Sequence, residues 1–132
     1  MVKKDYGFTL IELIITLAVI GVLVGLVLVA VDPVRVIEDT RDSRNRAEMN
    51  AVKTALQLYF NDNNTYPGAL GALVPTYARA LPSVTTAAGF SYSSSGSDYD
   101  AGVTLNNPTG DDTATVTKCS PPAIGNYMIC PD

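Results

Sequence analysis

Residues 8–31 form an apolar run that carries one charge, Glu12. A chain with such a segment must place it in lipid or against other apolar surface, and this requirement precedes every other. At 1.5 Å per helical residue the 24 positions reach about 36 Å, enough to cross a bilayer with some tilt. An acid inside a spanning helix costs about 2.5–3.5 kcal/mol at the centre and less toward an end. Glu12 lies near the start, directly after a short basic stub (MVKKDYG), and nothing within the run can neutralise it.

The full chain has 132 residues. Once the apolar run and its helical continuation are set aside, the globular part begins at about residue 66. A domain that small has a marginal core and gains from a staple or a packed neighbour. The net charge of −4 is unevenly spread: beyond Lys53 the basic residues are Arg79 and Lys118, facing Asp62, Asp98, Asp100, Asp111, Asp112 and Asp132. A head this acidic repels phosphate, which argues against direct nucleic acid binding. There is no histidine, no glycine-rich phosphate loop, and no basic partner in sequence near the serines of residues 91–97. The usual bases and nucleophile pairs are therefore missing, and the chain reads as a non-enzyme with no cofactor.

Cys119 and Cys130 leave two readings open. Two thiols without histidine are too few for a zinc site. A disulfide formed outside the cytosol suits an anchored chain, and a reduced pair close in sequence by chance is the plainer alternative.

Lys3 and Lys4 before the run place that end on the cytoplasmic side and the rest outside. No small-residue cleavage site follows the run, so the segment is expected to stay. Gly21 and Gly25 form a small-xxx-small pair that permits close helix approach, or fall there by chance. Asp32-Pro33 interrupts the pattern. From residue 34 to 61 Met49, Val52, Ala55, Leu56, Tyr59 and Phe60 recur at helical spacing on one face. The other face carries Arg35, Glu38, Asp39, Arg41, Asp42, Arg44, Arg46, Glu48 and Lys53, and is read mainly as solvated, with Asp42 and Arg46 as an i,i+4 pair. Packing between subunits is the functional alternative for that face.

Asn61 to Gly68 is a dense stop and turn signal. A short helical turn is expected within residues 69–81. Strands are expected at 89–94 and 99–106 around a Ser-Gly-Ser-Asp turn, at 113–118, and at 126–130. Asp98 with Asp100, and Asp111 with Asp112, read as solvated turn acids rather than calcium ligands, because the spacing does not match a calcium loop. Asn63-Asn64-Thr65 fits a glycosylation sequon, a match common by chance.

The segment GFTLIELIITLAVIGVLVGL, residues 7–26, resembles the N-terminal signature of type IV pilins and of the pseudopilins of type II secretion. Its parts are a basic leader, a glycine, a phenylalanine, and a glutamate as fifth residue of an apolar helix. The helix after Pro33 and the Tyr66-Pro67 pair are also similar to that superfamily. The resemblance implies an α+β fold, a long N-terminal helix with a small antiparallel sheet packed on its C-terminal half. It divides the chain into a leader (1–7), a membrane or filament-core segment (8–31), an amphipathic segment (32–62) and a globular head (63–132) with a disulfide between Cys119 and Cys130.

It further implies that a prepilin peptidase cuts between Gly7 and Phe8, and that Phe8 is N-methylated. Loss of Lys3, Lys4 and Asp5 takes the side-chain charge from −4 to −5, seven basic against twelve acidic. The new amine at Phe8 would pair with Glu12 of a neighbouring copy. A buried carboxylate with no internal partner favours one supplied in trans, and a head-to-tail contact that does not close propagates as a helical homopolymer. The implied partners are other copies of the chain, the peptidase, the membrane, and an assembly platform with its ATPase. Two related roles follow, an extracellular filament or a periplasmic secretion piston. The presence of Glu12 argues against a tip-initiating subunit, and a plain anchored domain that never polymerises is a third reading. The commonest pilin pattern has proline where Val29 stands, so a break in the helix is expected nearer Pro33.

Overall fold

The computed structural model describes residues 7–30, 32–119 and 125–131, and the chain divides into two compact units, Met1–Val36 and Ile37–Asp132. The fold is α+β, with helices first and a small antiparallel sheet after them. Helix α1 covers Leu10–Ala30 and α2 covers Pro33–Asn63. Asp32 separates them for a local reason. Its Oδ1 accepts from the N–H groups of Val34 (3.1 Å) and Arg35 (3.4 Å), which is the work of an N-cap. Pro33 takes the first helical position, where the missing N–H costs nothing. The interruption therefore starts a new helix. Val31 and residues 1–6 of the expected leader lie outside the described residues.

In the second unit the apolar face of α2 carries the core. Met49, Val52, Ala55 and Leu56 are buried, with Tyr59 and Phe60 partly so. The helix ends where the stop signal falls: Asn64 has φ +55°, a left-handed conformation that asparagine tolerates at a helix end. Beyond it, 3-10 turns at Leu70–Leu73 and Ser83–Thr86 bury Leu70, Leu73 and Val84.

Strands β1 (Ser91–Ser94), β2 (Tyr99–Val103) and β3 (Tyr127–Ile129) form one antiparallel sheet in that order. Ser94 pairs with Tyr99 across the Ser-Gly-Ser-Asp turn, and Ala101 with Ile129 on the other side. Tyr99, Ala101 and Val103 alternate inward from β2 into the core. Asn126 continues the β2–β3 pairing with its side chain, accepting from the Leu105 N–H (2.6 Å) and donating to its carbonyl (2.9 Å). Gly125 just before it has φ +128°, and a Cβ there would meet the Val103 carbonyl at 2.5 Å, so only glycine fits.

Four expectations are corrected here. Residues 113–118 are not a strand; they belong to helix α3, Gly110–Lys118. The alternation Thr-Ala-Thr-Val-Thr suggests period two, but a capping box overrides it. Thr109 Oγ1 accepts from the Asp112 N–H (3.4 Å), and the Asp112 carboxylate accepts from the Thr109 N–H (2.6 Å). Asp112 is consequently buried, not a solvated turn acid.

Nor is the polar side of α2 simply solvated, and Asp42 and Arg46 are not each other's partner. Asp42 is fully buried and accepts from the backbone N–H of Asn106 (3.1 Å) and Asn107 (2.7 Å) and from the Asn106 amide. Arg46 reaches past it to Asp112, donating from Nε (2.8 Å) and Nη2 (2.6 Å). Glu48 accepts from the Val84 N–H (2.7 Å) and the Ser83 hydroxyl, with Arg44 beside it at 2.8 Å. Carboxylates on α2 thus supply the acceptors for loop N–H groups, and a hydrogen bond to a charged group contributes about 1.5–3 kcal/mol.

The Arg46 guanidinium, with the Thr109 bonds, holds the Asp112 carboxyl well below the usual carboxylate range despite burial. Burial pushes Glu48 up, but the bonds from Val84, Arg44 and Ser83 outweigh it and leave the carboxyl lowered. A carboxyl lowered by folding contributes stability above its unfolded pKa of about 4, and that contribution is lost as pH falls through the folded value. Arg46→Gln should therefore be less stable than the parent at pH 7, and the gap should close as urea unfolding is repeated below pH 4. Asp42→Ala, which strands two backbone donors, should cost about 2–4 kcal/mol in the same measurement.

Candidate processing and assembly site

The residues singled out at the N-terminus occupy the entry to α1. Gly7 and Phe8 precede the helix, and Phe8 is 74% exposed. A side chain at Gly7 would meet nothing within 4 Å, so the fold of the described residues does not demand glycine there. Thr9 opens the helix: its Oγ1 accepts from the Glu12 N–H (3.4 Å) and its carbonyl from Leu13 N–H (3.2 Å). Thr9-Leu-Ile-Glu12 has the Thr-x-x-Glu spacing of a capping box, a helix-start signal present in the sequence. Only the threonine half of that box is seen. The Glu12 side chain is exposed, and among the described residues its carboxylate accepts no hydrogen bond and forms no ion pair.

Helix α1 buries none of its 21 residues. It is long and apolar enough, by length and composition, to cross a membrane. Thr16 keeps its hydroxyl satisfied inside the helix by donating to the Leu13 carbonyl (2.8 Å). Gly21 and Gly25 are open, with no atom within 4 Å of a built Cβ. Glu12 thus sits in the first turn of a wholly exposed apolar helix, four residues from Phe8.

The chain carries the prokaryotic N-terminal methylation motif, over residues 2–28. That motif is characteristic of type IV pilins and pseudopilins, structural proteins with no catalytic role. It takes in Gly7, Phe8, Glu12 and most of α1. No curated protein and no solved structure matches the chain.

Elsewhere the described residues offer little chemistry. No group of three or more His, Cys, Asp or Glu among them is placed to hold a metal ion. Asp98 spends an oxygen on the Tyr99 N–H (2.8 Å); burial, with Asp98 nearby, raises the Asp100 carboxyl. Asn63, the sequon asparagine, donates from its amide to the Tyr59 carbonyl (2.9 Å) and the Tyr77 hydroxyl (3.2 Å). A recess of about 490 Å³ beside α2 has walls of Ala51, Ala55, Leu73 and Leu81, with Thr54, Tyr77 and Arg79 its polar residues and no carboxylate or thiol in its lining.

Cys119 and Cys130 are joined, with Cα atoms 5.7 Å apart. Cys119 ends α3 and Cys130 directly follows β3, so the bond ties the helix to the sheet edge. Thr115 makes a second tie, its hydroxyl accepting from the Met128 N–H (2.9 Å). Replacing both cysteines by serine should lower head stability by about 2–3 kcal/mol. Comparing the urea midpoints of the oxidised parent and the double variant checks this.

Proposed function

We propose that this chain is a pilin subunit, stored in a bacterial inner membrane, cut between Gly7 and Phe8, methylated on the new Phe8 amine, and polymerised into an extracellular filament. The observation that carries the reading is the methylation motif laid over a wholly exposed apolar helix, with an unneutralised Glu12 in its first turn. In the membrane the α1 side chains face lipid. In a filament they face the α1 helices of other copies, and removal from water drives both states at roughly 25 cal/mol per Å² of apolar surface.

The carboxylate gives direction to what would otherwise be a non-specific apolar association. Its partner in this reading is the Phe8 amine of the next copy, which exists only after the leader is removed. Processing thereby precedes assembly, because before the cut Glu12 has nothing to meet. Membrane placement, peptidase, assembly platform and ATPase follow from the same reading. A pseudopilin of a secretion piston uses the same N-terminal device and is the second reading. Filaments sheared from the cell surface favour the pilin, whereas loss of protein secretion without surface filaments favours the pseudopilin.

Glu12→Ala should abolish or sharply reduce filament yield while membrane insertion is retained, as measured by shearing and by membrane fractionation. Normal filament yield from that variant would sink the assembly role and leave an anchored domain. Replacing Gly7 with a bulky residue should leave residues 1–7 attached, as read by mass spectrometry of the N-terminal peptide. Mature protein beginning at Phe8 in that variant would overturn the cleavage assignment.

A further inference from the structure

The head keeps one apolar hollow that its own side chains do not fill. Ala51 and Ala55 of α2 face Leu73, Tyr77 and Leu81 of the following loops across about 490 Å³. An unfilled hollow forfeits contacts that a small core can ill spare. It stays open because its walls are pinned separately. The Leu73 carbonyl accepts from the N–H groups of Tyr77 (2.8 Å) and Ala78 (2.9 Å), and Glu48 holds Val84 (2.7 Å) at the far end of the loop. Tyr77 is itself fixed: its ring meets Tyr59 edge-on at 5.2 Å, and its hydroxyl donates to Asp62 (3.1 Å) and accepts from the Asn63 amide (3.2 Å). Between the two anchors stands Arg79, exposed and with no hydrogen bond or ion pair among the described residues.

We propose that this recess binds a small amphipathic monocarboxylate, an acid with an apolar acyl or aryl body whose carboxylate pairs with Arg79. The inference goes beyond the filament reading and does not rest on it. Size and lining suit such a ligand, since sites for small molecules are concave, mainly apolar hollows of about 300–1,000 Å³ with a few polar groups that set orientation. Charge selects the anion. Arg79 supplies the cation, and no carboxylate lines the recess to repel one. One guanidinium fork matches one carboxylate, both oxygens at once. A dianion would keep excess negative charge beside a head in which Arg79 and Lys118 stand against five aspartates from residue 63 onward. The same imbalance disfavours a second head as occupant, because it would bring like net charge to the contact.

Methyl NMR of the full chain tests this, with isotope-labelled alanine and leucine and one copy per phosphatidylcholine nanodisc. Phenylbutanoate is the probe and phenylbutanamide its neutral counterpart. The Ala51, Ala55, Leu73 and Leu81 methyl signals should shift saturably with the acid. The amide, and the acid added to Arg79→Gln, should each bind about tenfold more weakly. Ala51→Phe, which fills the recess from the exposed side of α2, should abolish the shifts while the other head methyls keep their positions. No saturable shift in the parent, or equal affinity for acid and amide, overturns the proposal. Undiminished binding to Ala51→Phe places the acid elsewhere and overturns it as well. Shifts at these methyls that follow the number of copies per disc, with no acid added, overturn it and assign the recess to a second copy.

Discussion

The head depends on one buried carboxylate. Asp42 offers its two oxygens to consecutive backbone N–H groups, those of Asn106 and Asn107, at the point where the chain leaves β2 and turns toward α3. Those donors have no ladder to join, and Asp42 supplies their acceptors. Asp42 also helps keep Arg46 positively charged, after the Asp112 bond that chiefly does so. Arg46 in turn fixes Asp112, and Asp112 closes the capping box that makes α3 a helix. A row of polar side chains on α2 therefore sets the path of the second half of the head, while the apolar row beside it sets the core.

What was legible in the sequence follows a physical rule. The apolar face of α2, the Asn64 stop and the β1–β2 hairpin are local signals, each written within a few residues, and the structure keeps them. The Asp42–Arg46 pair expected from helical spacing is not made, because spacing shows who is adjacent and says nothing of what arrives from 65 residues away. Asn107 and Asp112 are such arrivals, and a charge assisted by a buried backbone donor outcompetes a solvated pair. The 113–118 segment failed differently. Its threonines alternate as a strand would, whereas the helix start lies upstream of them, in Thr109 and Asp112.

At the N-terminus the legibility is of another kind. Gly7 and Phe8 have no structural necessity in the fold of the described residues: Gly7 accommodates a Cβ freely, and Phe8 is exposed. Residues that a fold does not require, in a pattern matched over positions 2–28, point to recognition by something outside the fold. Glu12 is similar, since the Thr9 cap is made by the Glu12 backbone N–H and leaves the carboxylate unspent.

The spacing of the ties along α2 has a mechanical consequence. Glu38, Asp42, Arg46 and Glu48 attach to the rest of the head at successive levels of the helix, and Met49, Val52 and Leu56 continue the attachment toward its C-terminal end. Tension applied along α2 would load these contacts in shear, several at once, instead of peeling them in sequence. Shear-loaded contacts must break together, so a head built this way resists being stripped from its helix better than its small core would suggest.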